Sequence, residues 1–278
     1  MMIGTQRQLE PFGVEFTAVH GKDLVDRTVA EQCREALDRS GVVVFPELRI
    51  EDDDFVAFTR LLGEPVIART SEHRLPEIDT ITMDPQRVTP EMAAIRKGNF
   101  EWHIDGATLA VPQQATLLTA REVDEAGGDT EFANTFLAYE ALPTEEKDQF
   151  DGLHVVHSFA AAQLRAHPDA SPKQRAAWQK VPSRRHPLVW TRSDGRKSLL
   201  VGATAGEIVG RPAEEGRAVL DRLTQWATQP RFALRHRWRP GDLVIWDNTG
   251  MLHHALPFKA TSRRLMHRTT LVGQEAVA

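Results

Sequence analysis

His103-Ile104-Asp105 sets an imidazole and a carboxylate two residues apart, and His253 supplies a second imidazole far downstream. On extended chain, side chains at i and i+2 leave the same face, so one short stretch can aim a nitrogen and an oxygen at a single point. Two histidines and a carboxylate on one face of an octahedral iron(II) leave about three positions for a chelating cosubstrate and oxygen. The tripeptide alone is a weak signal, since average composition yields roughly one His-x-Asp in every two chains of this length. This chain has another, His167-Pro168-Asp169, among Ala166, Ala170, Ser171 and Pro172, a turn-like setting that reads as a loop.

The elements that must position these groups read as follows. Residues 23–40 carry Val29, Cys33, Ala36 and Leu37 at helical spacing and stop before Gly41, and Asp52 to Leu62 is a second helix with acidic residues in its first turn. Val42-Val43-Val44-Phe45 reads as a buried strand. Further strands are expected at 115–120, 153–159, 186–191, 198–201, 232–238, 243–246 and 265–272, with one helix at about 213–228 interrupting them. Many strands with N-terminal and inserted helices predict a mainly β fold, a barrel or jelly roll decorated by helices. Segments near 66–98 and 160–185 break the pattern. The first, rich in Pro, Arg, Glu and Thr, reads as a long mobile loop of the kind that covers a site, and the second as a partly helical insertion.

With 278 residues, 41% of them hydrophobic, the chain can bury a full core as a single domain, 1–278, with those two segments as lid or insert. A net charge of -5 argues against nucleic acid as partner, and Arg231 to Arg239 reads as a solvated strand edge. The single cysteine, Cys33, excludes an internal disulfide and reads as a buried structural thiol. Met1 through Phe16 has no apolar signal core, and no run is long enough to span a bilayer. A cytoplasmic protein with no membrane partner is expected, and a homo-oligomer stays open.

Gly241-Asp242 is a turn signal, so Asp247-Asn248 leaves the end of the strand ending at Trp246, where sites are usually built. His253 and His254 are adjacent and point to opposite faces, so one of the two reaches a metal, and spacing does not choose between them. In the last strand Arg264, Met266, Arg268 and Thr270 share a face. Two inward guanidiniums repel unless anions meet them, which calls for a bound dianion or two carboxylates; the plain alternative is a solvent-facing pair on an edge strand.

The ordered set Trp102-His103-Ile104-Asp105, Gly127-Gly128-Asp129-Thr130, Trp246-Asp247-Asn248 with His253, then Arg264 and Arg268 resembles the taurine dioxygenase and 2,4-dichlorophenoxyacetate dioxygenase group of iron(II)/2-oxoglutarate-dependent oxygenases. The spacing agrees too: 27 residues from His103 to Thr130, seven from Trp246 to His253, then 11 and 15 to the arginines. The likeness runs from about Gly41 to Gly273. It implies a double-stranded β-helix (jelly-roll, cupin-like), His103, Asp105 and His253 as iron ligands with His254 pointing away, and Thr130 and Arg264 on the distal carboxylate of 2-oxoglutarate. It also implies Asn99 on the substrate wall and Arg268 at the substrate anion, with Arg268 also counted beside the cosubstrate. Two departures stand out: Thr249 replaces the usual arginine after Trp-Asp-Asn, and Val66-Ile67-Ala68-Arg69-Thr70 replaces the taurine-binding histidine and tyrosine.

The implied reaction is hydroxylation of a small organic, anionic substrate (a carboxylate, sulfonate or sulfate ester) with Fe(II), 2-oxoglutarate and O2, releasing succinate and CO2. Since Asp105 occupies the position a halide would need, hydroxylation is favoured over halogenation, and a leaving group on the hydroxylated carbon would turn it into bond cleavage. A metal-dependent hydrolase could use the same three ligands but has no use for Thr130 and Arg264, and a non-catalytic binding protein would be expected to have lost a ligand.

Overall fold

Asp26 caps the first long helix, α1 (Arg27–Ser40), by accepting from the amides of Thr28 and Val29. The helix stops at Gly41, whose φ of 74° is left-handed and whose N–H donates to the Leu37 carbonyl at 2.7 Å. A Cβ there would lie 2.6 Å from Cε of Met251, so the turn needs glycine for space as well as for φ. The computed structural model describes residues 4–68, 73–123, 127–259 and 262–277. The other helices are α2 (Asp52–Leu62), α3 (Pro90–Arg96), α4 (Thr135–Glu140), α5 (Thr144–Phe150), α6 (Phe159–Ala166), α7 (Pro172–Trp178) and α8 (Ala213–Ala227). The strands are β1 (Thr5–Gln8), β2 (Val14–Thr17), β3 (Val42–Phe45), β4 (Asp79–Thr82), β5 (Ala115–Glu122), β6 (Thr130–Asn134), β7 (His154–His157) and β8 (Arg184–Pro187). They continue with β9 (Val189–Thr191), β10 (Lys197–Leu199), β11 (Ala205–Ile208), β12 (Ala233–His236), β13 (Leu243–Asp247), β14 (Met251–Ala255) and β15 (Leu265–Thr270).

Seven strands form the large sheet, in the order β1-β2-β3-β13-β5-β15-β4, and β12-β6-β14 form a smaller one. Phe132 and Met251 of the small sheet meet Val44, Leu118, Trp246 and Met266 of the large one in a shared apolar layer. The opposite face of the large sheet packs Phe45, Leu117 and Ile245 against Phe55 and Phe58 of α2 and Cys33 of α1. Each such large side chain contributes roughly 1.5–3 kcal/mol when fully buried. The architecture is mainly β with helices, a double-stranded β-helix. Cys33 is buried, and burial pushes its thiol up to about 12. No helix among the described residues is long and apolar enough to cross a membrane.

Expected elements at 42–45, 52–62, 115–120, 213–228 and 243–246 match β3, α2, β5, α8 and β13 within two residues. The segment 66–98 differs from the loop expected of it. It contains edge strand β4, helix α3 and the start of the 3-10 turn Lys97–Phe100; Arg69 and Thr70 lie outside the described residues. The sequence pattern does not predict strands β1, β2, β6, β11 and β14. Arg235 lies on edge strand β12 and pairs with Asp129, in line with a solvated strand edge.

Candidate active site

His103 and His253 face one another through a single antiparallel bridge, each amide donating to the other's carbonyl at 3.0 and 2.9 Å. The expected His-x-Asp strand is reduced to this one bridge, and Asp105 sits in the turn that follows. His103 Nε2 lies 3.9 Å from Asp105 Oδ1, and His253 Nε2 lies 3.7 Å from Asp105 Oδ2. One ligand atom from each of the three falls within 4.8 Å of the others. An ion bound at about 2.1 Å to each needs neighbouring donors roughly 3 Å apart, so the three side chains draw closer to seat it.

The hydrogen bonds around the three residues leave acceptor atoms facing the space between them. His103 Nδ1 donates to the Glu101 carbonyl at 2.8 Å, which leaves a lone pair on Nε2 towards the cluster. His253 is buried, and burial first, then the His103 ring, lowers it to about 3, so it is neutral at pH 7. Its Nδ1 makes no hydrogen bond of good geometry among the described residues. Burial alone would raise Asp105, but His253, Arg268, His103 and the Thr116 hydroxyl outweigh it and hold it down at about 2. The carboxylate is further oriented by a chain of donors: Asn248 Nδ2 to Thr116 Oγ1 at 2.9 Å, and Thr116 Oγ1 to Asp105 Oδ2 at 2.8 Å. His254 points the other way. It stacks on Trp102 at 4.0 Å and bonds to Glu131 and to the Phe100 carbonyl, both at 3.0 Å.

One cleft is lined by His103 and His253 and also by Thr130, Arg264, Arg268 and Asn99. Arg264 is buried, and burial pushes its pKa down to about 10 against the pull of Asp129. Its guanidinium stacks over Phe258 at 5.2 Å and makes no hydrogen bond among the described residues. Gly128 clears its path, since a Cβ there would sit 3.0 Å from Arg264 Cδ and Nε. Thr130 Oγ1 accepts from Trp238 Nε1 at 2.9 Å, so its own O–H is left to donate to an incoming acceptor.

Arg268 shares the cleft face with Arg264, as the alternation in the last strand requires, but it is already paired: Nη2 donates to Asp79 Oδ2 at 2.8 Å. Arg96 approaches Asp79 Oδ1 at 3.9 Å and donates to the carbonyls of Thr82 and Thr80 at 2.6 and 2.7 Å. Helix α6 holds this wall in place, Gln163 donating to the Ile95 carbonyl at 3.2 Å and His167 to the Ala94 carbonyl at 2.9 Å. His167 therefore closes the end of α3 and is not part of the His103, Asp105 and His253 group. Where the expected arginine is replaced by Thr249, its hydroxyl bonds to Asp247 and takes a hydrogen bond from Arg192, which follows β9.

Sequence reasoning missed Thr116, Trp238, Asp79 and Arg96. Thr116 left a signal, because a hydroxyl inside a fully buried strand run must find a partner. A second His-His-Asp set also exists, Asp52, His73 and His267, again within 4.8 Å. There Arg121 donates to Asp52 and approaches His267 Nδ1 at 3.2 Å, so a cation is built in.

Residues 5–270 match the family described as taurine catabolism dioxygenase TauD, TfdA. The chain is 33% identical to an alpha-ketoglutarate-dependent 2,4-dichlorophenoxyacetate dioxygenase of Cupriavidus pinatubonensis, covering 92% of this chain and 93% of that one. It is 29% identical to an alpha-ketoglutarate-dependent sulfate ester dioxygenase of Pseudomonas putida, covering 95% and 88%. Among solved structures it resembles AAD-2 in complex with Mn(II) and N-oxalylglycine, at TM-score 0.84 and 28% identity over 100% of both chains.

Proposed function

We propose, because this chain belongs to the taurine catabolism dioxygenase (TauD, TfdA) family, that His103, Asp105 and His253 hold iron(II), with Arg264 and Thr130 on the distal carboxylate of 2-oxoglutarate and Arg268 and Asn99 facing the organic substrate. The chain is an iron(II)- and 2-oxoglutarate-dependent dioxygenase, using O2. The observation that carries the site assignment is the convergence of two imidazoles and a carboxylate, one ligand atom from each within 4.8 Å of the others, at a cleft whose lining also offers a buried guanidinium and a free threonine O–H.

When bound, iron with 2-oxoglutarate and O2 supplies the oxidising power to hydroxylate a C–H bond, releasing succinate and CO2. The chain's own residues do the rest. Thr116 and Asn248 keep Asp105 aimed at the histidines, His103 is locked by the Glu101 carbonyl, and Trp238 turns the Thr130 hydroxyl towards the cosubstrate. Phe100, Phe258 and Trp246 line the cleft and give the reacting centre an apolar surround.

The substrate in this reading is a small carboxylate, sulfonate or sulfate ester. Relatives named for a phenoxyacetate and a sulfate ester support it, as does the second cleft arginine, Arg268. The chain works as one cytoplasmic domain, open to forming a homo-oligomer, with lid or insert segments near 66–98 and 160–185; the lining of the cleft by Ile81, Thr82 and Arg96 and the α6 hydrogen bonds to α3 support that reading. A succinate-release screen across aryloxy and alkyl carboxylates, sulfonates and sulfate esters tests it. Turnover that needs both iron(II) and 2-oxoglutarate and is confined to anions is expected. In Arg268→Met the KM for the substrate should rise about 10- to 1000-fold while 2-oxoglutarate binding holds. Turnover of neutral compounds alone, or collapse of 2-oxoglutarate binding in that variant, contradicts it.

A further inference from the structure

Arg268 does not stand alone in the cleft. Its Nη2 lies on one oxygen of Asp79 and Arg96 Nη2 faces the other, so a single carboxylate sits between two guanidiniums that both line the cleft. The two are close enough that Arg268, after burial, helps to lower Arg96 below its ordinary value. Arg268 Nε is buried and makes no hydrogen bond among the described residues. Arg96 Nη1 and Nη2 each donate once to β4 carbonyls, which leaves each a second hydrogen. These donors lie along the part of the cleft lining that α3, β4 and β15 provide.

Charge balance gives the pair a definite demand. Iron(II), the Asp105 carboxylate, doubly negative 2-oxoglutarate and Arg264 together are neutral. Asp129, near Arg264, is matched by Arg235. What remains is Arg96, Arg268 and Asp79, one net positive charge in a lining whose other members, among them Ile81, Asn99, Phe100 and Leu118, carry none. An uncompensated charge in such a wall favours one opposite charge and disfavours two.

Resting on the anionic-substrate reading above, we propose that the anionic group of the substrate is held between Arg96 and Arg268, and that Asp79 fixes the two guanidiniums and restricts the site to a single negative charge. The substrate is then a monoanion such as a carboxylate, sulfonate or alkyl sulfate with a compact apolar body, and a phosphate monoester of the same shape is rejected. Arg96 is a specificity-determining residue in this arrangement. The rival role for Arg96 is structural, tying the open edge of β4 through the Thr80 and Thr82 carbonyls. That role alone would affect charged and neutral ligands equally.

Calorimetric titration of the Mn(II)- and 2-oxoglutarate-loaded protein with phenoxyacetate, phenoxyethanol, hexyl sulfate and hexyl phosphate separates the possibilities. Wild type should bind the two monoanions more tightly than the alcohol and the phosphate. Arg96→Gln should weaken both monoanions by about tenfold or more, with 2-oxoglutarate and phenoxyethanol moving less than about twofold, and Arg96→Lys should recover most of the loss. Asp79→Asn should shift preference towards hexyl phosphate, a gain that damage to the fold does not produce. If Arg96→Gln leaves monoanion binding intact while Arg268→Gln abolishes it, the two-arginine site is wrong and the single-arginine reading stands. If wild type binds phenoxyethanol as well as phenoxyacetate, or binds no monoanion, the anionic-substrate reading falls and this proposal with it. Should Arg96→Gln lose 2-oxoglutarate as well, Asp79→Asn decides, and an unchanged ratio of phosphate to sulfate overturns the proposal.

Discussion

His103, Asp105 and His253 at the cleft, and Asp52, His73 and His267 beside the N-terminus of α2, are the same residue types gathered to the same separation. They differ in where the protons sit. In the first set the His103 partner is a carbonyl on Nδ1, so the lone pair faces inwards, and His253 is held neutral by burial. In the second, the Leu75 amide donates to His73 Nδ1 at 3.1 Å, which places the ring proton on Nε2 towards Asp52 at 3.2 Å. Asp52 also accepts from Arg121 and lies 2.7 Å from His267 Nδ1. The second cluster satisfies its carboxylate with resident donors and ties β5, β15 and α2 together. Ligand types at ligand distance do not by themselves make a metal site; inward lone pairs and room for a cation do.

The sharpest way to break this contrast is to remove a histidine from each set. His253→Ala or His103→Ala should lower turnover by more than about 100-fold, whereas His267→Ala, His167→Ala and His254→Ala should leave turnover per folded molecule largely unchanged. Succinate release measured on the five purified variants checks this, and a loss in His254→Ala with retention in His253→Ala would shift the ligand assignment by one residue.

Next in size is the proposed cosubstrate end of the first region, Arg264 and Thr130. Arg264→Ala removes the charged partner of a buried carboxylate and should weaken 2-oxoglutarate by about 2–5 kcal/mol, while Thr130→Val, which loses one hydrogen bond, should cost about 0.5–3 kcal/mol. Anaerobic titration of 2-oxoglutarate into the iron complex gives both values. A larger loss for Thr130→Val would reverse the assigned roles.

The donor chain behind Asp105 predicts a smaller effect. Thr116→Val should weaken iron(II) or Mn(II) by about 10- to 100-fold without touching the three ligands. Unchanged metal affinity would show that Asp105 is positioned without it.

For the second region the expected signature is in stability and its pH dependence. Burial alone would raise Asp52, but His267 and Arg121 outweigh it and hold it below its usual range. A carboxyl lowered in the fold contributes stability above its unfolded value of about 3.9, and that contribution is lost as pH falls through the folded one. Asp52→Asn should therefore cost about 1–3 kcal/mol in urea unfolding at pH 7, with the gap to the parent closing as pH drops below about 4. A gap that persists in acid would mean packing, not charge, holds the cluster.

What was legible in the sequence follows the range of the interaction. Short-period signals placed His103 beside Asp105, put His253 and His254 on opposite faces, and put Arg264 and Arg268 on one. The family spacing then chose His253. Asp79 and Arg96 were hidden because their segment is rich in proline and charge with weak periodicity, and it acquires meaning only when β4 pairs with β15 and α6 closes α3. Trp238 lies 108 residues from the hydroxyl it orients, and Thr249 acquires its guanidinium from Arg192, 57 residues away. Such pairings come from the fold, so no local pattern announces them. Strand β14 carries His253 within Met251-Leu252-His253-His254-Ala255, too short and too mixed for its alternation to stand out.

The claim that one cluster binds metal and its twin does not is tested most directly by anaerobic calorimetric titration of Mn(II), in the presence of 2-oxoglutarate, into wild type, Asp105→Ala and Asp52→Ala. One ion per chain is expected in wild type and in Asp52→Ala, and none in Asp105→Ala. Two ions in wild type, or loss of the ion in Asp52→Ala with retention in Asp105→Ala, would contradict it.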